Sequence, residues 1–277
     1  MSYRNILVQI DETPASRTRA SAAAHIAARF GASLTAMFLR SDHVPGFVAG
    51  DAFTAVTTVE AYVAERDKNI AIASAEARKI FDTEVAKHNI DARWIEVNGD
   101  DDLAVLAAVR RHDLTVFPHV ATSPFGTYAI SASHIGMGAG GPVLVLPERG
   151  FPVPFGKRVL VAWKESREAA RALRDAWPFL AAAEEVHFLT VSRDGPDDFD
   201  DVMLTNLKEH GIKTSRMHVD RNEDIDIGNA IQRHSGMVGA EMIVLGLYGH
   251  SRMRELLLGG VSRDLLSSLP LPLLVSH

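Results

Sequence analysis

The chain contains no cysteine. Disulfide frameworks, thiol catalysis and thiolate metal sites are thereby excluded, and the composition suits a reducing compartment, which makes the cytoplasm the expected location. No stretch approaches the roughly 18 uninterrupted apolar residues of a membrane span, so no membrane partner is expected. Tyr3-Arg4-Asn5 runs straight into Ile6-Leu7-Val8, without the longer apolar region or small-residue cleavage site of a secretory signal. Basic charge does not predominate: 29 Lys and Arg stand against 35 Asp and Glu, for a formal net charge of −6. A nucleic-acid binder shows a basic stripe because phosphate contacts dominate its affinity; here the two signs interleave, and no nucleic-acid partner is expected. The usual catalytic signatures are missing too: there is no Gly-x-Ser-x-Gly elbow, no Gly-Lys-Ser/Thr phosphate loop and no His-Glu-x-x-His helix. The 12 histidines show no local ligand spacing, so no metal site is expected. His187 and His218 fall on adjacent predicted strands, close enough for the two rings to approach one another.

What is present is a repeat. With 277 residues, 47% of them hydrophobic, the chain is long enough for two cores. Ile6-Leu7-Val8-Gln9-Ile10-Asp11-Glu12 is answered by Val159-Leu160-Val161-Ala162-Trp163-Lys164-Glu165. Each is a largely apolar run, as expected of a strand buried on both faces of a parallel sheet. An alanine- and arginine-rich helical stretch follows each, Pro14 to Phe30 and Ser166 to Leu180, the second capped by the Ser166 hydroxyl. Further strands are predicted at Leu34–Leu39, Arg93–Val97, Leu114–Phe117 and Val143–Leu146, matched by Val186–Val191, Arg216–Val219, Ile243–Leu245 and Leu273–Val275. Helices are predicted over 60–88, 102–112 and 127–137, then 198–210, 226–238 and 261–268. Strands alternating with helices imply right-handed crossovers and a doubly wound parallel sheet. The expected architecture is therefore α/β, two tandem five-stranded parallel sheets of Rossmann-like type. Residues 1–148 and 157–277 form the two domains, and the Pro- and Gly-rich 149–156 forms the linker.

The halves differ where function would lie. Val8 to Val97 spans 89 positions against 58 from Val161 to Val219, with much of the excess in Ser41 to Val59. Val97 to Pro142 spans 45 positions against 53 from Val219 to Pro272, so half one is the shorter between its third and fifth strands. In half two, Met242-Ile243-Val244-Leu245 is followed by Gly246-Leu247-Tyr248-Gly249, and after nine more residues by Gly259-Gly260-Val261. Glycines after a strand let main-chain amides approach an anion, and a helix starting beyond them favours a phosphate.

In this glycine spacing, and in Glu255-Leu256-Leu257-Leu258-Gly259-Gly260-Val261, the chain resembles the universal stress protein family. The resemblance covers both halves and implies strand order 3-2-1-4-5, pairing of the fifth strands (here intramolecular, as a pseudo-dimer, with a homodimer as a further option) and a regulatory, stress-response role. It also implies ATP at half two only, with or without Mg²⁺. Gly246, Gly249, Gly259 and Gly260 would hold the phosphates, His250 and Ser251 would add donors, and Val261 would open the helix. Adenine would lie near Ala162 and Val191, with Val161 beside them, and Lys164 would end the first strand. Two positions depart from the ATP-binding pattern: Gly260 stands where the family has Ser or Thr, and Lys164 where it has Asp. Lysine attracts phosphate but cannot accept a ribose hydrogen bond or ligate Mg²⁺.

In half one Pro118-His119-Val120-Ala121 replaces the first two glycines, so ordinary ATP binding is not expected there. Asp11 reads as a turn residue after a strand, and His119 and His134 mark a rebuilt loop. Gly136-Met137-Gly138-Ala139-Gly140-Gly141 matches a dinucleotide fingerprint but precedes its strand instead of following it, and reads as a helix-to-strand connection. Two alternatives stay open beside the nucleotide reading. One is a scaffold that binds a different small molecule or a partner; the other is an enzyme, a slow ATPase or a hydrolase using the half-one cleft.

Overall fold

A computed structural model describes residues 2–43, 52–122, 124, 129–148, 150–192, 198–220, 226–247 and 271–277. The first half comprises β1 (Asn5–Gln9), α1 (Pro14–Phe30), β2 (Ser33–Arg40), α2 (Ala52–Val85), β3 (Ala92–Asn98), α3 (Asp102–Val109), β4 (Leu114–Pro118), β5 (Val120–Thr122), β6 (Ala129–Ser131), α4 (Ala132–Gly138) and β7 (Val143–Leu146). The second comprises β8 (Arg158–Trp163), α5 (Arg167–Asp175), α6 (Trp177–Ala181), β9 (Glu185–Ser192), α7 (Asp198–Glu209), β10 (Thr214–Asp220), α8 (Ile227–Met237), β11 (Met242–Gly246) and β12 (Leu273–Ser276). Among the described residues no helix is long and apolar enough to cross a membrane.

The strand order is β10-β9-β8-β11-β12-β7-β4-β1-β2-β3. Each half reads 3-2-1-4-5 from its outer edge inwards, as expected. The two sheets are one: β12 and β7 pair antiparallel, with Leu274 opposite Leu144. All other pairs in this sheet are parallel. Apolar fifth strands left as edges would template aggregation; pairing them internally removes both. Side chains alternate across the sheet, giving one core layer around Val8, Phe38, Val161, Phe179 and Phe188 and another around Leu7, Phe117, Leu160, Ile231 and Ile243.

The halves are also tied by side chains. Tyr3 Oη donates to Asp175 O at 2.6 Å, Arg29 Nη2 to Ala182 O at 2.7 Å and Arg171 Nη2 to Gly140 O at 2.7 Å. The 149–156 segment is not a bare tether: Phe151 and Phe155 are buried, and Phe155 stacks on Phe179.

Three sequence expectations are corrected. The helix expected over 127–137 starts only at Ala132, because the shortened connection after Pro118 closes as a two-stranded hairpin of β5 and β6. The helix expected to run to Leu180 breaks into α5 and α6, since Pro178 lacks the N–H to continue the ladder. The second helix begins at Ala52, inside the stretch read as an insertion. The helix expected over 261–268 lies outside the described residues.

Candidate functional site

In an open α/β sheet the chain winds outward on both sides of one strand pair, and ligands bind beyond the carboxyl ends of those strands. Each half has such a switch point, between β1 and β4 in the first and between β8 and β11 in the second. Val8 lies opposite Val116, and Val161 opposite Val244, so the two points superimpose residue by residue.

In half one the switch point is filled by the protein's own polar groups. Gln9 ends β1 fully buried, and Arg19 projects from α1 with only 4% of its side chain exposed. Arg19 Nε donates to Gln9 O at 2.6 Å, while its Nη2 reaches Gln9 Oε1 at 2.9 Å, Asp11 Oδ2 at 2.8 Å and Ser16 Oγ at 2.7 Å. Ser16 Oγ donates in turn to Asp11 Oδ1 at 2.7 Å and accepts from Asp11 N at 2.9 Å. Thr13 caps the same carboxylate through N–H and hydroxyl. Burial works to raise the Asp11 carboxyl, but the Arg19 charge and the Thr13 and Ser16 hydrogen bonds outweigh it and hold the group below its ordinary value. Burial lowers the Arg19 guanidinium, opposed by Asp11 and by the more distant charge of Glu148. Asp11 is therefore more than the turn residue read from sequence: it is the counter-ion of a buried arginine.

The rebuilt loop follows the same end of the sheet. His119 O accepts from Ala132 N, which anchors the hairpin to α4, and His134 Nε2 hydrogen-bonds Asp102 across the starts of α4 and α3. The glycine-rich segment 136–141 is explained by packing. A Cβ on Gly136 would stand 2.4 Å from Leu247 Cδ1, and one on Gly138 2.7 Å from Leu106 Cδ2. The first admits a side chain from half two and the second seats α4 on α3.

In half two the matching positions carry none of the plug. Gln9, Asp11, Ser16 and Arg19 correspond to Ala162, Lys164, Ala169 and Ala172. Ala162 is partly buried and Lys164 exposed, at the end of β8. Leu245 pairs with Ala162, which sets Gly246 and Lys164 on the two sides of the switch point. Ala162 and Val191 share one face of the sheet, whereas Val161 is buried in the opposite layer. Gly246 has a steric reason of its own: a Cβ there would lie 2.4 Å from both Ala169 N and Glu168 C. The first turn of α5 thus rests on the end of β11, with Ser166 Oγ capping it by accepting from Ala169 N at 3.1 Å. Gly249, His250, Ser251, Gly259, Gly260 and Val261 lie outside the described residues.

His187 and His218 lie on adjacent strands, as read from the sequence, but do not meet. In the β9–β10 register His187 pairs with Ser215 and His218 with Thr190, which places the two rings on opposite faces. No group of three or more His, Asp or Glu side chains able to hold a metal is found among the described residues.

Residues 156–277 match the family model described as the universal stress protein family. The whole chain is similar in fold to a universal stress protein from Archaeoglobus fulgidus DSM 4304. The two are 18% identical, with a TM-score of 0.74 over 99% of this chain and 96% of that one. It is also similar to a universal stress protein of Pseudomonas aeruginosa UCBPP-PA14, at 16% identity and TM-score 0.57 over 99% and 93% of the two chains. A protein of unknown function from Pseudomonas aeruginosa PAO1 matches at 14% identity and TM-score 0.57 over 99% and 92%. No curated protein is significantly similar in sequence. The second half of the chain belongs to the universal stress protein family, and the first half shares its fold.

Proposed function

We propose that the chain is a tandem stress-response protein, built as domains 1–148 and 157–277 joined by 149–156, that binds ATP at the second switch point only. One observation carries this reading: the four positions that plug half one are Ala162, Lys164, Ala169 and Ala172 in half two. Small side chains replace the guanidinium and its acceptors, and an exposed cation replaces the partly buried carboxylate. ATP phosphates would rest on the main chain of Gly249, Gly259 and Gly260 beyond Gly246, with donors from His250 and Ser251 and the helix starting at Val261. Lys164 would supply positive charge from the opposite side, and adenine would lie against the face of Ala162 and Val191. A ligand that binds only the folded state raises its stability, by about 2.7 kcal/mol at 100 times its Kd. Millimolar ATP, tested with and without Mg²⁺, is therefore expected to raise the melting temperature. No shift in either condition would refute ATP binding.

The close approach at Gly246 favours a second reading, because α5 packing accounts for that glycine without any nucleotide. The protein would then be a scaffold holding another small molecule or a partner. Mass spectrometry of compounds released from the purified protein separates the two: ATP or a related adenine nucleotide supports the first reading, and a different compound or none supports the second.

A further inference from the structure

At the amino-terminal end of the outer strands, away from the switch point, three side chains lie in line. Ser215 on β10 pairs directly with His187 on β9, and Ser215 Oγ lies 2.6 Å from His187 Nδ1. Glu185 sits two residues before His187, on the same face of β9, with Oε2 at 3.6 Å from His187 Nε2. Lys213 Nζ holds the other carboxylate oxygen, Oε1, at 2.5 Å. The His187 side chain is 12% exposed; its Nε2 is buried without a hydrogen-bond partner, and Ser215 is exposed.

The tautomer follows from this geometry. A bare Nε2 lone pair facing the Glu185 carboxylate would be repelled by it, whereas an Nε2–H is attracted. The proton of the neutral ring therefore sits on Nε2, and Nδ1 is left to accept from Ser215. Burial lowers the His187 pKa below 6.5, against the raising effect of Glu185 and with the help of the positive charges of Arg158 and Lys213. The ring is thus neutral at pH 7 and ready to take a proton. Placement on two hydrogen-bonded strands fixes all three groups on rigid elements.

We propose that Ser215, His187 and Glu185 form a nucleophilic acyl-transfer site that acts on small activated esters. Ser215 Oγ attacks the ester carbonyl carbon as its proton passes to His187 Nδ1. The bond from that carbon to the alcohol oxygen then breaks, and the departing oxygen takes the proton from Nδ1. Water, deprotonated by the same nitrogen, cleaves the acyl-serine and restores the hydroxyl. Glu185 orients the ring and stabilises its charged form. β10 is the outermost strand of the sheet, and alternate main-chain N–H groups of such a strand point outward, where they can receive the oxyanion.

The full-length protein would be treated with a fluorophosphonate, which loses fluoride when a serine oxygen attacks phosphorus, and the adduct mapped by peptide mass spectrometry. A single adduct on Ser215 is expected. Its rate should rise with pH to a plateau reached below the ordinary histidine range, and His187→Gln should slow it at least about tenfold. Glu185→Gln should shift the midpoint of that profile to lower pH, an effect that loss of packing alone would not give. Hydrolysis of 4-nitrophenyl acetate should follow the same profile and vanish in Ser215→Ala. No adduct on Ser215 would overturn the proposal, as would an adduct whose rate shows no fall with acidification at any pH below 6.5 at which the protein stays folded. The wild-type pH profile decides even where His187→Gln fails to fold.

Discussion

The two halves have the same strand order and opposite polarity at the same point. Half one closes its switch point with a buried arginine, its carboxylate and two neutral acceptors. Half two has alanines at three of those four positions and a lysine at the fourth. The four differences act together. A buried guanidinium is tolerable only with its charge paired and its donors satisfied, so the set has to be present or absent as a unit. A duplicated fold can thus keep its scaffold in both copies while one copy spends its ligand crevice on internal structure.

The strongest way to break the comparison is to remove the arginine alone. Arg19→Ala, the residue half two has at this place, leaves the Asp11 carboxylate and Gln9 without their partner and should cost about 3–5 kcal/mol in chemical denaturation. Combining Arg19→Ala with Asp11→Asn should cost less than that single change, because no uncompensated charge remains. If the double variant were the less stable, the network would not be acting as a unit.

The next test concerns the glycines that set each half's packing. Gly246→Ala drives a Cβ into the main chain of Glu168 and Ala169 at 2.4 Å, and backbone in a helix start cannot yield. A loss of about 1–3 kcal/mol is expected. Gly136→Ala meets only the tip of Leu247 at the same distance, and a leucine can turn away, so the loss should be the smaller of the two. Equal melting points for the two variants would remove the distinction.

The smallest effect is acid sensitivity. The Asp11 carboxyl is held below its ordinary 3.8 in the folded state. Its contribution to stability is therefore complete above that value and lost as pH falls through the lower folded value. Asp11→Asn should flatten this part of the acid limb while leaving the slope between pH 5 and 8 unchanged; an unaltered acid limb would argue against the pairing.

Much of this was legible in the sequence because it is periodic or local. Apolar runs alternating with helical stretches gave the strands, their order followed from the family resemblance, and the apolar fifth strands called for the pairing of β7 with β12. The hairpin of β5 and β6 was missed, since three-residue strands carry little periodicity of their own. The Arg19 network was missed because it joins residues ten apart through side chains. One signal pointed to it: Gln9 interrupts a run expected to be buried on both faces, and a buried amide has to find partners. The pairing of His187 with Ser215 depends on the register of two strands, and a shift of one residue reverses which face each side chain takes. Of the residues in the proposed nucleotide site, Gly246, Ala162, Lys164 and Val191 lie around the second switch point, and the rest of the glycine loop stands on its spacing.

The proposed division of labour between the halves is tested most directly by photolabelling with 8-azido-ATP followed by peptide mapping. One label per chain, confined to residues 157–277 and competed by ATP, is the expected result. A label within residues 1–148 would contradict the account.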